Sequence, residues 1–356
     1  MARVIFDNIG FSLQSYGGLS TVWSNLLRRF IKNASVEYNC IEYKDTIDNP
    51  MRKGIDIPQS RIIKRNVPIA IDRYRDLHNT GVSPLVFHSS HYRLCKGKNV
   101  ANITTVHDFM YELFDNRKLA VAVHKWQKYR AIRKADVVVC ISQSTKNDLL
   151  RFLPDVNPDK VKVIYNGVSD VYRQCDNTEP KYENYVLFVG GRKRYKNFNF
   201  LVDALKNTSF NLLICGKNLD EEERQYLNNV LGESRYKVEA YPDDERLNVI
   251  YNSVYCLAYV SLYEGFGVPV IEAQRAGCPV IACNRTSIPE IIGDTPLLLQ
   301  DCSIEEFHEK LEILRSKKQR ESIVCDGLKN ADRFSWDGIA QEYITLYNEL
   351  YNKLNK

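Results

Sequence analysis

An α/β fold of two domains, each built around a parallel sheet, is what this sequence predicts. Three observations carry the prediction. Short apolar, β-branched runs alternate with amphipathic stretches along the whole chain, the pattern of strands joined by right-handed helical crossovers. The 356 residues exceed what one domain of about 100–200 residues holds, so two domains are expected. The charge also divides with the chain. Residues 1–170 carry 26 Lys and Arg against 16 Asp and Glu, while residues 171–356 carry 23 against 28. A basic first half and an acidic second half suggest domains that face different partners.

In chain order, Val4–Phe6, Leu85–His88, Ile103–Val106 and Val137–Ile141 read as buried strands, and Thr21–Ile31 and Ala122–Lys134 carry helical spacing between them. Residues 43–75 are polar and contain prolines, so they predict an excursion from the first sheet. Asn166-Gly167 is a turn signal. The polar segment Asp170–Glu183 that follows, broken at Glu179-Pro180, is the expected linker. Beyond it, Tyr185–Val189, Phe210–Cys215, Lys237–Ala240, Val254–Val260 and Val280–Cys283 read as strands. Asn197–Leu205, Asp220–Leu231, Asp244–Tyr251, Val270–Ala276, Ser303–Leu314 and Gly338–Leu354 read as helices. The expected division is residues 1–168, residues 169–337 and a final helical segment, 338–356.

An apolar fraction of 44% with 26% charged residues excludes disordered, collagen-like and coiled-coil classes. No apolar run approaches the ~18–20 residues that cross a bilayer. Asp7 interrupts the N-terminal run before a signal-peptide core can form, so a cytosolic location is expected. Of the ten cysteines, Cys140, Cys215, Cys256 and Cys283 lie in apolar runs, where Cys acts as a small hydrophobe. No pair is spaced C-x-x-C and no Cys/His cluster has zinc spacing. Reduced thiols are expected.

The most informative stretch runs from Ser261 to Gly277. After a strand ending near Val260 come Glu264-Gly265-Phe266-Gly267-Val268, then Pro269 and Glu272. Glycine lets the backbone approach a ligand, Pro suits the first turn of a helix, and Gly277 suits its end. The helix N-terminus offers free N–H groups and a positive dipole to an anion. Glu264 and Glu272, eight residues apart, could touch two parts of one extended ligand. A nucleotide sugar fits: diphosphate on the helix N-terminus, ribose on Glu272, sugar hydroxyls near Glu264.

Three other segments carry weaker signals. Gly17-Gly18, after the first strand and before a helix, could present bare backbone to a phosphate or sugar. The pair is not G-x-G-x-x-G, which removes the main support for nicotinamide binding. Arg192-Lys193-Arg194-Tyr195-Lys196 puts four cations in five residues at a strand-to-loop edge, where ligands of such sheets bind. In isolation the run reads as solvated charge. His107 stands at the carboxyl end of Ile103–Val106.

The Glu264–Glu272 string resembles the E-x7-E motif of glycosyltransferase family 4, retaining enzymes of the GT-B fold. Five further segments resemble that family in order and spacing: Tyr16-Gly17-Gly18-Leu19-Ser20, Thr105-Val106-His107-Asp108, Ala135-Asp136-Val137 through Ile141-Ser142-Gln143-Ser144-Thr145-Lys146, Ile164-Tyr165-Asn166-Gly167-Val168, and Phe188-Val189-Gly190-Gly191-Arg192 with Lys196-Asn197. The resemblance covers nearly the whole chain. It implies two Rossmann-like domains facing across a cleft, the first for the acceptor and the second for the donor, with the last helix crossing back to the first domain. It implies His107, Glu264, Arg192 and Lys196 as catalytic, with His107 touching the donor sugar in a positioning or electrostatic role. Donor contacts are implied for Gly17, Gly18, Arg192, Lys196, Glu264, Gly265, Phe266, Gly267, Val268 and Glu272. Arg192 and Lys196 would meet the leaving diphosphate. Tyr259-Val260-Ser261 departs from the family, which commonly has Pro before that Ser.

The implied reaction is retaining transfer of a hexose from a nucleotide diphosphate sugar to a hydroxyl of a glycan or polyprenyl-diphosphate-linked glycan, in surface polysaccharide synthesis. GDP-mannose is the first choice, because Gly17–Trp23 and Gly191–Phe198 resemble polysaccharide mannosyltransferases; a UDP-sugar is the alternative. No cofactor and no metal are expected. The rivals are a non-catalytic sugar-nucleotide-binding protein, a phosphorylase or hydrolase of the same fold, and nucleic-acid binding by the basic half, which no recognised motif supports. The surplus basic charge suggests an anionic membrane face as a partner, through Arg61, Lys64, Arg65, Arg73 and Arg75 with Lys125, Lys128, Arg130, Arg133 and Lys134, interleaved by Trp126 and Tyr129.

Overall fold

Seven parallel strands form the first sheet, in the spatial order Ile62–Arg65, Val36–Tyr43, Ala2–Asp7, Leu85–Ser89, Val100–Val106, Val137–Cys140 and Val161–Val163. The computed structural model describes every residue except Tyr16, Thr80, Val82 and Asn116. Leu85–Ser89 and Val137–Cys140 are buried throughout, as strands covered on both faces must be. The second sheet has six parallel strands, ordered Tyr236–Ala240, Asn211–Gly216, Tyr185–Val189, Cys256–Tyr259, Val280–Cys283 and Leu298–Leu299. The strand order reverses between Ala2–Asp7 and Leu85–Ser89 in the first sheet, and between Tyr185–Val189 and Cys256–Tyr259 in the second.

The chain divides into one unit of residues 1–167 with 336–356 and another of residues 168–335. The final helix, Trp336–Leu354, belongs to the first unit and completes its core. Phe6 stacks on Phe30 at 5.2 Å, and Tyr347 packs edge-on against Phe30 at 5.3 Å. The Tyr347 hydroxyl lies 2.8 Å from Nδ1 of the buried His88. Where the chain leaves the first sheet, a Cβ on Gly167 would stand 2.5 Å from the Trp336 ring, so only glycine fits.

Three expectations are corrected. Residues 43–75 are not wholly an excursion: Ile62–Arg65 adds an edge strand beside Val36–Tyr43. The latter was hidden by its polar residues, of which Glu42 is buried and neutralised by Arg52 at 2.6 Å. The segment 170–183 is not a free linker. Side chains of the helix Asp244–Ser253 accept its backbone N–H groups: Asn248 from Arg173 at 2.9 Å, Asn252 from Cys175 at 3.0 Å and Ser253 from Glu179 at 2.8 Å. The helices Gln143–Phe152 and Lys317–Ala331 stand where no helix was read, and the latter is polar enough to bury only Gly327 and Ala331. The sulfurs of Cys283, ending its strand, and Cys302, beyond the adjacent strand Leu298–Leu299, stand close together, with Cα atoms 5.8 Å apart. Their 19-residue separation leaves no local sequence signal.

Candidate functional site

In the unit of residues 168–335, two loops leave the carboxyl ends of the strands that flank the reversal, the place where open α/β sheets bind ligands. One follows Tyr185–Val189 and carries Arg192 and Lys196. The other follows Cys256–Tyr259 and carries Glu264 through Gly267. The loops are joined: Leu262 N–H donates to the Tyr195 carbonyl at 2.8 Å, and Lys196 Nζ meets Glu264 Oε1 at 2.6 Å.

Glu264 is held at its backbone. Its N–H donates to Thr286 Oγ1 at 3.0 Å, and its carbonyl accepts from Ser287 Oγ at 2.9 Å. Ser287 Oγ also reaches the Phe266 carbonyl at 2.8 Å, while the buried Phe266 ring packs edge-on against Phe334. Gly267 then turns the chain with φ 110°, a left-handed value that favours glycine, and caps the helix Val268–Arg275. With Pro269 in its first turn, this helix follows the second loop directly, and its N-terminal amides and positive dipole end stand where that loop ends.

Glu272 sits on that helix. The Tyr251 hydroxyl donates to its carboxylate at 3.1 Å. Burial, with Asp244 nearby, pushes its carboxyl up to about 7, against the pull of hydrogen bonds from Tyr251 and Tyr172. The Tyr172 hydroxyl also reaches Asp244 at 3.1 Å. Tyr172, Tyr251, Asp244, Thr286 and Ser287 were not read from the sequence, since each acts through a contact with no local pattern.

Arg192 stands apart from this arrangement. Its guanidinium makes two 2.7 Å bonds to Glu223 and two 2.9 Å bonds to the carbonyls of Lys217 and Asn218, and its side chain is 4% exposed. The structure thus brings Lys196, Glu264 and the Val268 helix together, and gives Arg192 to the 217–223 segment.

In the first unit, the helix Gly18–Phe30 starts after Gly17, at the carboxyl side of the first strand. The motif residue Tyr16 lies outside the described residues. His107 follows Val100–Val106 and borders a small cavity with Leu19, Trp23 and Ser90, so the structure joins the glycine-pair helix to the histidine. Burial holds the His107 ring below its usual range, against the pull of Asp108 and with a smaller push from Lys128. Several cations read as a free basic surface are already engaged. Lys128 is fully buried, 3.2 Å from Glu112 and over the Phe109 ring. Arg65 pairs with Asp72, Arg130 with Asp76 and Arg133 with Asp155, each at 2.7 Å.

Comparison with known proteins completes the description. Residues 16–171 match the family model described as Glycosyltransferase Family 4, and residues 173–327 match glycosyl transferases group 1. O-antigen chain mannosyltransferase B of Escherichia coli is 24% identical over 313 residues, covering 80% of this chain and 82% of its own. O-antigen chain mannosyltransferase RfbU of Salmonella typhimurium is 28% identical over 200 residues, 54% of this chain and 55% of its own. Sucrose-phosphate synthase from Thermosynechococcus elongatus superposes with TM-score 0.75 at 17% identity, over 99% of this chain and 100% of that one. HepE of Anabaena, solved with UDP and glucose, superposes with TM-score 0.71 at 15% identity, over 98% and 100%. At such identities the structural likeness is one of fold.

Proposed function

Because the chain belongs to glycosyltransferase family 4 and has the GT-B fold, we propose that it is a retaining hexosyltransferase. It moves mannose from GDP-mannose to a hydroxyl of a glycan or lipid-linked glycan acceptor in surface polysaccharide synthesis. The observation that carries this reading is the meeting of Lys196 and Glu264 at 2.6 Å, at the strand-order reversal and before the N-terminus of Val268–Arg275.

Each part has a task that its chemistry suits. The helix amides and Lys196 take the diphosphate, on which negative charge grows as the glycosidic bond breaks. Glu264, already poised against that cation, accepts from the sugar hydroxyls beside Gly265–Val268. Glu272 accepts from the ribose hydroxyls. The bond from the anomeric carbon to the phosphate oxygen breaks, a bond to the acceptor oxygen forms on the same face, and the acceptor proton passes to the leaving phosphate. His107 positions the donor sugar rather than acting as a base. Arg192 reaches a diphosphate only by giving up Glu223, so Lys196 carries the larger share of the charge stabilisation.

Mannose is favoured by the mannosyltransferase relatives. A UDP-sugar is the second reading, favoured by a fold neighbour solved with UDP and glucose. A thermal-shift panel of nucleotide sugars decides between them, since a ligand of the folded state raises the melting temperature by mass action. GDP-mannose giving the largest shift, with an α-linked product on incubation with acceptor glycans, is the expected result. Selective stabilisation by a UDP-sugar replaces the donor. Binding without any transfer product returns the protein to a non-catalytic binder.

A further inference from the structure

A buried tyrosine lies beside the Lys196–Glu264 pair. Tyr259 ends the strand Cys256–Tyr259 and is 3% exposed. Cys256 and Ala258 of that strand enter the core that the sheet shares with the helices Phe198–Leu205 and Ile304–Ile313. Tyr259, at the alternate position, points to the other face. There it meets three parts of the site. The Lys196 ammonium stands 5.4 Å from the centroid of its ring, and 5.7 Å from that of Tyr195. A Cβ on Gly267 would stand 3.6 Å from the Tyr259 ring, so the ring packs against the backbone from which the helix Val268–Arg275 starts. The hydroxyl faces the Glu264 carboxylate and lies near enough to Glu272 to feel its charge. Burial, then Glu264, hold this phenol well above its usual range, so it keeps its proton and donates.

This placement matters when a donor enters. Without ligand, Lys196 holds Glu264 at 2.6 Å. A diphosphate competes for that ammonium with more negative charge than one carboxylate carries. Lys196 can turn to it on a flexible stem while its charge stays over the two rings. Glu264 then loses its cation at the moment it must face the sugar hydroxyls. Thr286 and Ser287 fix only its main chain, and three side-chain torsions separate that from the carboxylate. The Tyr259 hydroxyl still faces it.

We propose that Tyr259 is a positioning residue of this site: resting on the transfer reading above, it keeps the Glu264 carboxylate aimed at the hexose of the donor after Lys196 has turned to the diphosphate. It acts through Glu264, so it adds to the grip on the hexose and leaves the grip on the nucleoside diphosphate as it is.

Tyr259→Phe tests it, because it removes the hydroxyl and keeps the ring against Gly267 and Lys196. Calorimetric titrations with GDP-mannose and with GDP, and steady-state transfer rates, make the measurement on the full chain; if a UDP-sugar is the donor, that sugar and UDP take their places. The variant should bind the nucleoside diphosphate as the wild type does. It should lose about 10-fold in affinity for the nucleotide sugar and about 10–10²-fold in kcat. In a Glu264→Ala background, Tyr259→Phe should cost nothing further, since the residue it acts through is gone. An equal fall in affinity for GDP and for the nucleotide sugar overturns the proposal and leaves the hydroxyl a part of the fold alone. Unchanged nucleotide-sugar affinity and kcat overturn it too, as do additive losses in the double variant. The affinity difference is read without acceptor, so a wild type that binds the nucleotide sugar but yields no transfer product refutes the transferase reading and leaves this test standing.

Discussion

Replacing Glu272 by Gln should stabilise the protein while weakening its hold on the nucleotide. The folded structure pushes this carboxyl from 4.5 up to about 7, chiefly by burial. A raised carboxyl pKa means that the folded state binds the proton more tightly than the unfolded one. The group's stabilising effect is complete below about 4.5, is lost as pH rises toward about 7, and is absent above. That difference amounts to at most about 3 kcal/mol at pH 8. Gln keeps an oxygen for the Tyr251 hydroxyl and never ionises. At pH 8 the variant should therefore melt higher than the wild type by up to roughly 6–12 °C, at about 2–4 °C per kcal/mol for a unit of this size. Near pH 4.5 the two should melt together. If Glu272 holds the ribose, GDP affinity falls on the order of 10–10²-fold, the weight of one charge-assisted hydrogen bond. Calorimetric melts at both pH values and a titration with GDP make the measurement. A melting difference that is the same at pH 4.5 and pH 8, or an unchanged GDP affinity, refutes the reasoning.

Lys196→Ala should lower turnover about 10²–10³-fold with a smaller change in donor affinity, because the charge it meets grows in the transition state. Arg192→Ala, which removes the clamp on Glu223 and the 217–218 carbonyls, should cost less turnover and more melting temperature; steady-state kinetics and melts on both variants check the order, and a larger turnover loss for Arg192→Ala reverses it. Gly267→Ala forces a side chain into φ 110° and should cost about 1–3 kcal/mol in chemical denaturation, along with donor affinity. Arg52→Met leaves the buried Glu42 without its cation and should cost about 3–5 kcal/mol; a change within a few tenths would mean that water reaches the carboxylate.

The central strands were legible because burial on both faces demands uniform apolar runs, as in Tyr185–Val189 and Val137–Cys140. Val36–Tyr43 was not, because Glu42 breaks its pattern and the residue that neutralises it, Arg52, lies ten positions on. The loop and helix from Glu264 to Glu272 could be read because turn, cap and carboxylates lie together in sequence. Lys128 misled because a cation's sequence neighbours do not reveal a partner such as Glu112, 16 residues away; the bond of Arg192 to Glu223, 31 residues away, is equally silent in the sequence. Local pattern reports whether a residue is charged. Whether the charge is free is a property of the fold.

The return of Trp336–Leu354 to the first unit sets an order on biosynthesis. As the chain leaves the ribosome, residues 1–167 emerge first but lack the helix whose Tyr343 and Tyr347 pack against Phe30 and His88. Residues 168–335, a continuous stretch with a sheet of their own, can close while the first sheet still waits with one apolar face open. The part translated first is the part completed last. In the interval that face stays uncovered, and a stop codon just after residue 335 would leave the 168–335 stretch whole while depriving the N-terminal sheet of its last helix.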